Sequence, residues 1–96
     1  MLHLIFQSPI ELAVLERIAP GDDVVFLENA VLRILEKGSL SASLTQLLKQ
    51  NRLYVLADDI EVRGIQLSEL VTGIEVIDYD ELVILTVKNP VIQSWS

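Results

Sequence analysis

The chain has 96 residues, 51% of them hydrophobic, no cysteine, and a formal net charge of −7. The missing thiols exclude disulfides, thiolate metal sites and cysteine nucleophiles. The acidic balance speaks against direct nucleic-acid binding, which relies on cationic side chains to release counterions.

Strand-like and helix-like runs alternate from end to end. Leu2–Phe6 is a short apolar run that reads as a first strand. Ser8 is placed to cap a helix, Pro9 to occupy its first position and Glu11 to reach back, completing a capping box. Ile10, Val14 and Ile18 recur one turn apart as a buried stripe, until Pro20-Gly21 stops the helix. Val24–Leu27 reads as the second strand. Residues 29–37 predict a helix with Val31, Ile34 and Leu35 on one face and Gly38 as its stop. A further helix is expected over 41–50, with Leu44, Leu47 and Leu48 at helical spacing.

Arg52–Ala57 reads as the third strand, and Asp58-Asp59 open a short helical turn ending at Gly64. The segment 65–72 carries no clear period. Ile74–Ile77 is the fourth strand. Asp78 and Glu81 form a second cap-and-reach pair, opening a helix that runs through Lys88 and breaks at Asn89-Pro90. Val91–Trp95 makes a short final strand. Apolar strands alternating with amphipathic helices predict βαβ units in one domain over residues 1–96, a three-layer α/β sandwich around about five mainly parallel strands.

No secretion signal is expected, because no basic stretch precedes a long apolar one. No apolar run approaches the ~18 residues of a membrane span. The cytoplasm is the expected compartment. Mean hydropathy is +0.47, high for a small soluble chain. Apolar surface in excess of what a small core can hold is buried against partners. The expectation is therefore an oligomer subunit; the alternative is a monomer whose apolar strands are buried on both sheet faces.

Four features are candidates for chemistry. Asp58 and Asp59 follow the third strand, at the edge where open parallel sheets bind ligands. A phospho-receiver or another small α/β enzyme would place an Asp there. A receiver also needs an acidic pair after the first strand, where this chain has Gln7-Ser8-Pro9. Helix capping is the simpler role for the two aspartates. His3 is the only histidine; without a thiol or a serine elbow to activate, it reads as a packed structural residue. The hydroxyls of Ser39, Ser41, Ser43 and Thr45 lack the glycines and lysine of a phosphate loop and read as capping and solvation. Trp95 either anchors an interface or folds back on the core, and Lys88 suits the negative end of its helix. No cofactor or metal is expected.

A set of scattered motifs stands out: Met1-Leu2-His3, Ser8-Pro9, Gly21-Asp22, Tyr54-Val55-Leu56 with Asp58-Asp59 and Arg63-Gly64, then Asp78-Tyr79, Leu85-Thr86-Val87-Lys88 and Trp95. Together they resemble the TusB/DsrH family of sulfur-relay proteins. The last block is the most specific. Where the family has an Asp-Gly type turn after the second strand, this chain has Glu28-Asn29-Ala30. Some DsrH relatives carry a cysteine; its absence here favours the TusB side of the family. The resemblance implies the DsrE/F/H-type fold. It also implies a heterohexamer with homologous TusC-like and TusD-like subunits, two copies of each, passing persulfide sulfur towards 2-thiouridine at the tRNA wobble position. In that picture the TusD-like subunit carries the sulfur, this chain has no catalytic residue, and His3, Lys88 and Trp95 are candidate interface or family-motif positions. A homo-oligomer is allowed when the chain is isolated.

Overall fold

The computed structural model describes residues 1–6, 10 and 12–95. Five strands, β1 (Leu2–Ile5), β2 (Asp23–Phe26), β3 (Arg52–Leu56), β4 (Glu75–Ile77) and β5 (Ile92–Trp95), form one sheet in the order β4-β3-β2-β1-β5. Every pairing is parallel, with Leu2 opposite both Asp23 and Ile92, and Asp23 opposite Arg52. Parallel neighbours require a crossover between them. Four helices sit in those crossovers: α1 (Leu12–Glu16), α2 (Ser41–Leu47), α3 (Ala57–Glu61) and α4 (Tyr79–Lys88). The expected capping box at Ser8, Pro9 and Glu11 lies outside the described residues.

The strand order decides which face each helix covers. The chain steps from β1 to β4 in one direction, then returns to place β5 beside β1. Right-handed crossovers therefore put the first three connections on one face and the last on the other. The packing follows this division. Val24, Phe26, Leu53 and Val55 face Val14 and Leu15 of α1, Leu44 of α2 and Ile60 of α3. The alternate residues Val25, Tyr54 and Leu56, with Leu2 and Ile77, face Leu85 of α4. One face thus carries three helices and the other carries α4.

The largest departure from the sequence pattern is in residues 28–37. The expected helix is instead a 3-10 helix over Glu28–Arg33. Ala30, Val31 and Ile34 are fully buried, as the apolar spacing requires. The helix stops because the following backbone has a tertiary partner: Leu35 bridges Leu70, the Val71 N–H donates to Ile34 O at 3.0 Å, and the Glu36 N–H donates to Glu69 O at 2.8 Å. These bonds replace the helical ladder. The unclear segment before β4 becomes a 3-10 helix, Leu67–Glu69, closed by a capping box between Gln66 and Glu69. The expected cap on α4 is present, with the Glu81 N–H donating to Asp78 Oδ1 at 2.9 Å.

Asn51 ties the amino edge of the sheet together. Its side-chain amide donates to Ala19 O at 2.6 Å and Asp22 O at 3.1 Å, joining the turn before β2 to the start of β3. Phe26 is the largest fully buried side chain. Phe26→Ala is expected to lower unfolding free energy by about 3–5 kcal/mol, because the truncation combines lost transfer energy with a cavity; urea denaturation followed by circular dichroism measures it.

Candidate functional site

Alternation along β1 places His3 on the same face as its neighbour in register, Val24, the face covered by α1. Its imidazole is 2% exposed. Trp95, at the end of β5, lies beside it: the ring planes are within 17° of parallel with centroids 6.3 Å apart, and the indole Nε1–H donates to His3 Nδ1 at 3.2 Å. An indole nitrogen is only a donor, so Nδ1 is the acceptor and the ring proton sits on Nε2. Nε2 donates in turn to Asp22 Oδ2 at 2.9 Å. Arg17 lies over the Trp95 ring, its guanidinium carbon 5.9 Å from the centroid, within cation–π range.

Asp22 gathers further donors. Its Oδ2 also accepts from the Ala19 N–H at 3.1 Å, and its Oδ1 from the Met1 ammonium at 3.3 Å. Burial pushes this carboxyl up, but the bonds from His3, Ala19 and the N-terminus outweigh burial and hold it below its ordinary value of 3.8. An Asp–His pair can orient a general base. Here the ring nitrogen that would meet a substrate is bonded to an indole, and the ring is out of contact with solvent. The arrangement is a lock that joins both ends of the chain to the turn before β2.

A second cluster lies at the carboxyl ends of β2 and β3. Glu28 has φ of +50, the left-handed conformation that glycine normally supplies. Its N–H donates to Asp59 Oδ2 at 2.7 Å. Arg63 pairs with Asp59 Oδ1 at 3.6 Å, donates to Asp59 O at 3.0 Å, and reaches Asn29 Oδ1 at 2.9 Å. The loop keeps a turn geometry although Glu stands where a glycine would fit. Asp58 and Asp59 do not cap α3 as expected; its N-cap is Leu56, and both aspartates lie in the first turn. Asp59 instead holds the neighbouring loop, while Asp58 is exposed. Nor does a serine cap α2, whose N-cap is Leu40; Thr45 bonds back to Ser41 O. Among the described residues, no group of three or more His, Asp or Glu side chains is arranged to hold a metal ion.

The structure brings two of the three expected site residues together. His3 and Trp95 meet, whereas Lys88 lies exposed in the last turn of α4, across the sheet. Asn89 closes that helix, its amide donating to Leu85 O at 2.9 Å and Asp23 Oδ2 at 3.2 Å. Sequence reading did not single out Asp22, Arg17, Asn29 or Arg63 as site residues. Only Asp59 and Arg63 carried a local signal, at i,i+4 on one helical turn.

Two experiments address these clusters. A carboxylate whose pKa is lower folded than unfolded stabilises the fold above the unfolded value, and that contribution disappears as pH falls through the folded one. The stability difference between the wild type and Asp22→Asn should therefore be constant near neutrality and shrink below pH 3.8, as read by urea titrations across that range. Glu28→Gly should raise stability by up to about 1 kcal/mol, since glycine enters the left-handed region without a Cβ penalty; thermal and urea unfolding at neutral pH measure it.

With this geometry in view, comparison with known proteins gives a consistent result. A family profile described as "DsrH like protein" matches residues 7–91. "Protein TusB" from Erwinia tasmaniensis is 37% identical over 99 residues, spanning 99% of this chain and 100% of the relative. Proteins of the same name from Cronobacter sakazakii and Escherichia coli are 32% and 31% identical over 98 residues, again spanning 99% of this chain and 100% of each relative. Among solved structures, a protein of unknown function from Methanobacterium thermoautotrophicum, MTH1491, superimposes with a TM-score of 0.78 at 12% identity, covering 98% of this chain and 96% of the other. The ychN protein from E. coli gives 0.75 at 15%, covering 98% and 97%. At such identities the structural likeness concerns the fold alone, and it agrees with the five-stranded α/β architecture.

Proposed function

This chain belongs to the TusB/DsrH family of sulfur-relay proteins, and from that premise we propose that it is a non-catalytic subunit of a sulfur-relay complex serving 2-thiolation of the tRNA wobble uridine. One observation carries the reading: the chain has no cysteine. Sulfane sulfur moves when an acceptor thiolate attacks the outer sulfur of a persulfide and the donor leaves as a thiolate. A chain without a thiol is neither donor nor acceptor. The persulfide then resides on a companion, and this subunit completes the assembly.

Two further features support that reading. The His3 imidazole has both nitrogens occupied by Asp22 and Trp95, which suits a fixed scaffold rather than a base that cycles. Large apolar side chains stand exposed along α4, as they do on a surface that meets another protein. The companions in this reading are TusC-like and TusD-like homologous subunits, two copies of each in a heterohexamer. The net charge of −7 supports leaving tRNA contact to them rather than to this chain. The cytoplasm is the compartment that goes with it; no helix among the described residues is long and apolar enough to cross a membrane.

Co-expression with TusC-type and TusD-type subunits from the same genome tests the proposal. The expected outcome is a stable co-purifying complex in which cyanolysable sulfur resides only on the companions. Failure to co-purify, or sulfane sulfur transfer by the isolated chain, would overturn it.

A further inference from the structure

α4 has the sequence Tyr79-Asp80-Glu81-Leu82-Val83-Ile84-Leu85-Thr86-Val87-Lys88. Helical geometry sets Leu82, Leu85 and the following Asn89 on one side, and these contact the sheet. The opposite side carries Tyr79, Asp80, Val83, Ile84 and Val87. Its apolar members are 58%, 56%, 64% and 81% exposed for Tyr79, Val83, Ile84 and Val87. A solvated surface helix is polar on its outer side; a helix apolar all round is covered on both sides. Among the described residues, α4 has the sheet on one side and is exposed on the other.

We propose that the outer face of α4 joins two copies of this chain across a two-fold axis, with the two helices antiparallel. The charge placement selects this occupant. α4 carries two acids in its first turn, Asp80 on the outer face and Glu81 at its margin, and its only base, Lys88, lies at the other end. Asp80 and Lys88 each stand four residues from Ile84. A two-fold axis at Ile84 therefore sets Asp80 against Lys88 of the partner subunit, and does so twice. Val83 and Ile84 lie at the centre, with Tyr79 and Val87 towards the ends. A parallel pairing would instead oppose Asp80 to itself. Closed two-fold contacts of this isologous kind are the commonest in homo-oligomers. Lys88 forms no ion pair among the described residues, so the pairing displaces none there.

The size of the face bounds the affinity. A ten-residue helix is ~15 Å long, and alone it buries less than the ~1,600 Å² of a standard interface. The formal charge of −7 per chain adds repulsion, damped beyond the Debye length of ~8 Å at physiological ionic strength. The dimer is therefore expected to be weak and concentration-dependent. This proposal draws on the same α4 face that supports the relay reading and names its occupant as a second copy of this chain; it is tested on the isolated chain, so its failure leaves the relay reading, tested by co-purification, standing.

Sedimentation equilibrium of the purified chain, from low to high micromolar concentration, should show a monomer–dimer equilibrium. Val83→Asp should abolish it. Asp80→Lys and Lys88→Asp should each weaken it by about tenfold, from two mispaired contacts, and the double variant should return it to near the wild-type constant. Val62→Asp, on an exposed side chain of the other sheet face, should leave it unchanged. Urea midpoints confirm that each variant is folded. A monomer at every concentration, a dimer indifferent to Val83→Asp, or a double variant no better than the singles would overturn the proposal. So would a monomeric chain whose α4 gains hydrogen-exchange protection only with other subunits, since the face would then belong to a different partner.

Discussion

The return of the chain from β4 to β5 is the constraint from which the other features follow. Four strands are laid down stepwise in one direction, and each right-handed crossover adds a helix to the same face. The fifth strand lies beside the first, so its crossover must span the sheet on the other face. A ten-residue helix does this alone. Crowding on one side and thin cover on the other are consequences of topology. The exposed apolar face of α4 arises where no second helix among the described residues covers it.

The same return also joins the chain ends. β5 beside β1 brings Trp95 onto His3, although the two are 92 residues apart in sequence. The indole N–H fixes the imidazole tautomer, the imidazole N–H engages Asp22, and Asp22 engages the N-terminal ammonium. An edge strand that would otherwise be held by one ladder gains a side-chain anchor. A histidine placed this way is positioned to hold a structure together. That fits the assembly role proposed above, in which a companion supplies the reactive thiolate.

Much of the fold was legible because the signals were local. Pro20-Gly21, Gly38, Gly64 and Gly73 punctuate the chain, and the apolar strand runs fall within about a residue of β1 to β5. The Asp78 cap was readable from three-residue spacing alone. Residues 29–37 misled because their apolar spacing fits a helix, while the backbone of 34–36 bonds to 69–71, outside any local window. The Glu28 turn was hidden for a related reason: its left-handed conformation is held by the Asp59 carboxylate, 31 residues on. Of the site residues, His3 and Trp95 stood out through rarity, and nothing in the sequence said that they touch.

What the sequence by itself determined is the class of fold and the chemistry that is absent. Alternating apolar periods set the α/β pattern, the motif set marks the family, and the lack of cysteine removes thiol chemistry whatever the conformation. The tertiary structure decided which side chains meet, which segment forgoes an α-helix, and which helix face is left open. Those outcomes depend on contacts between residues tens of positions apart. Strand order and crossover handedness impose them, and no local run of residues encodes either.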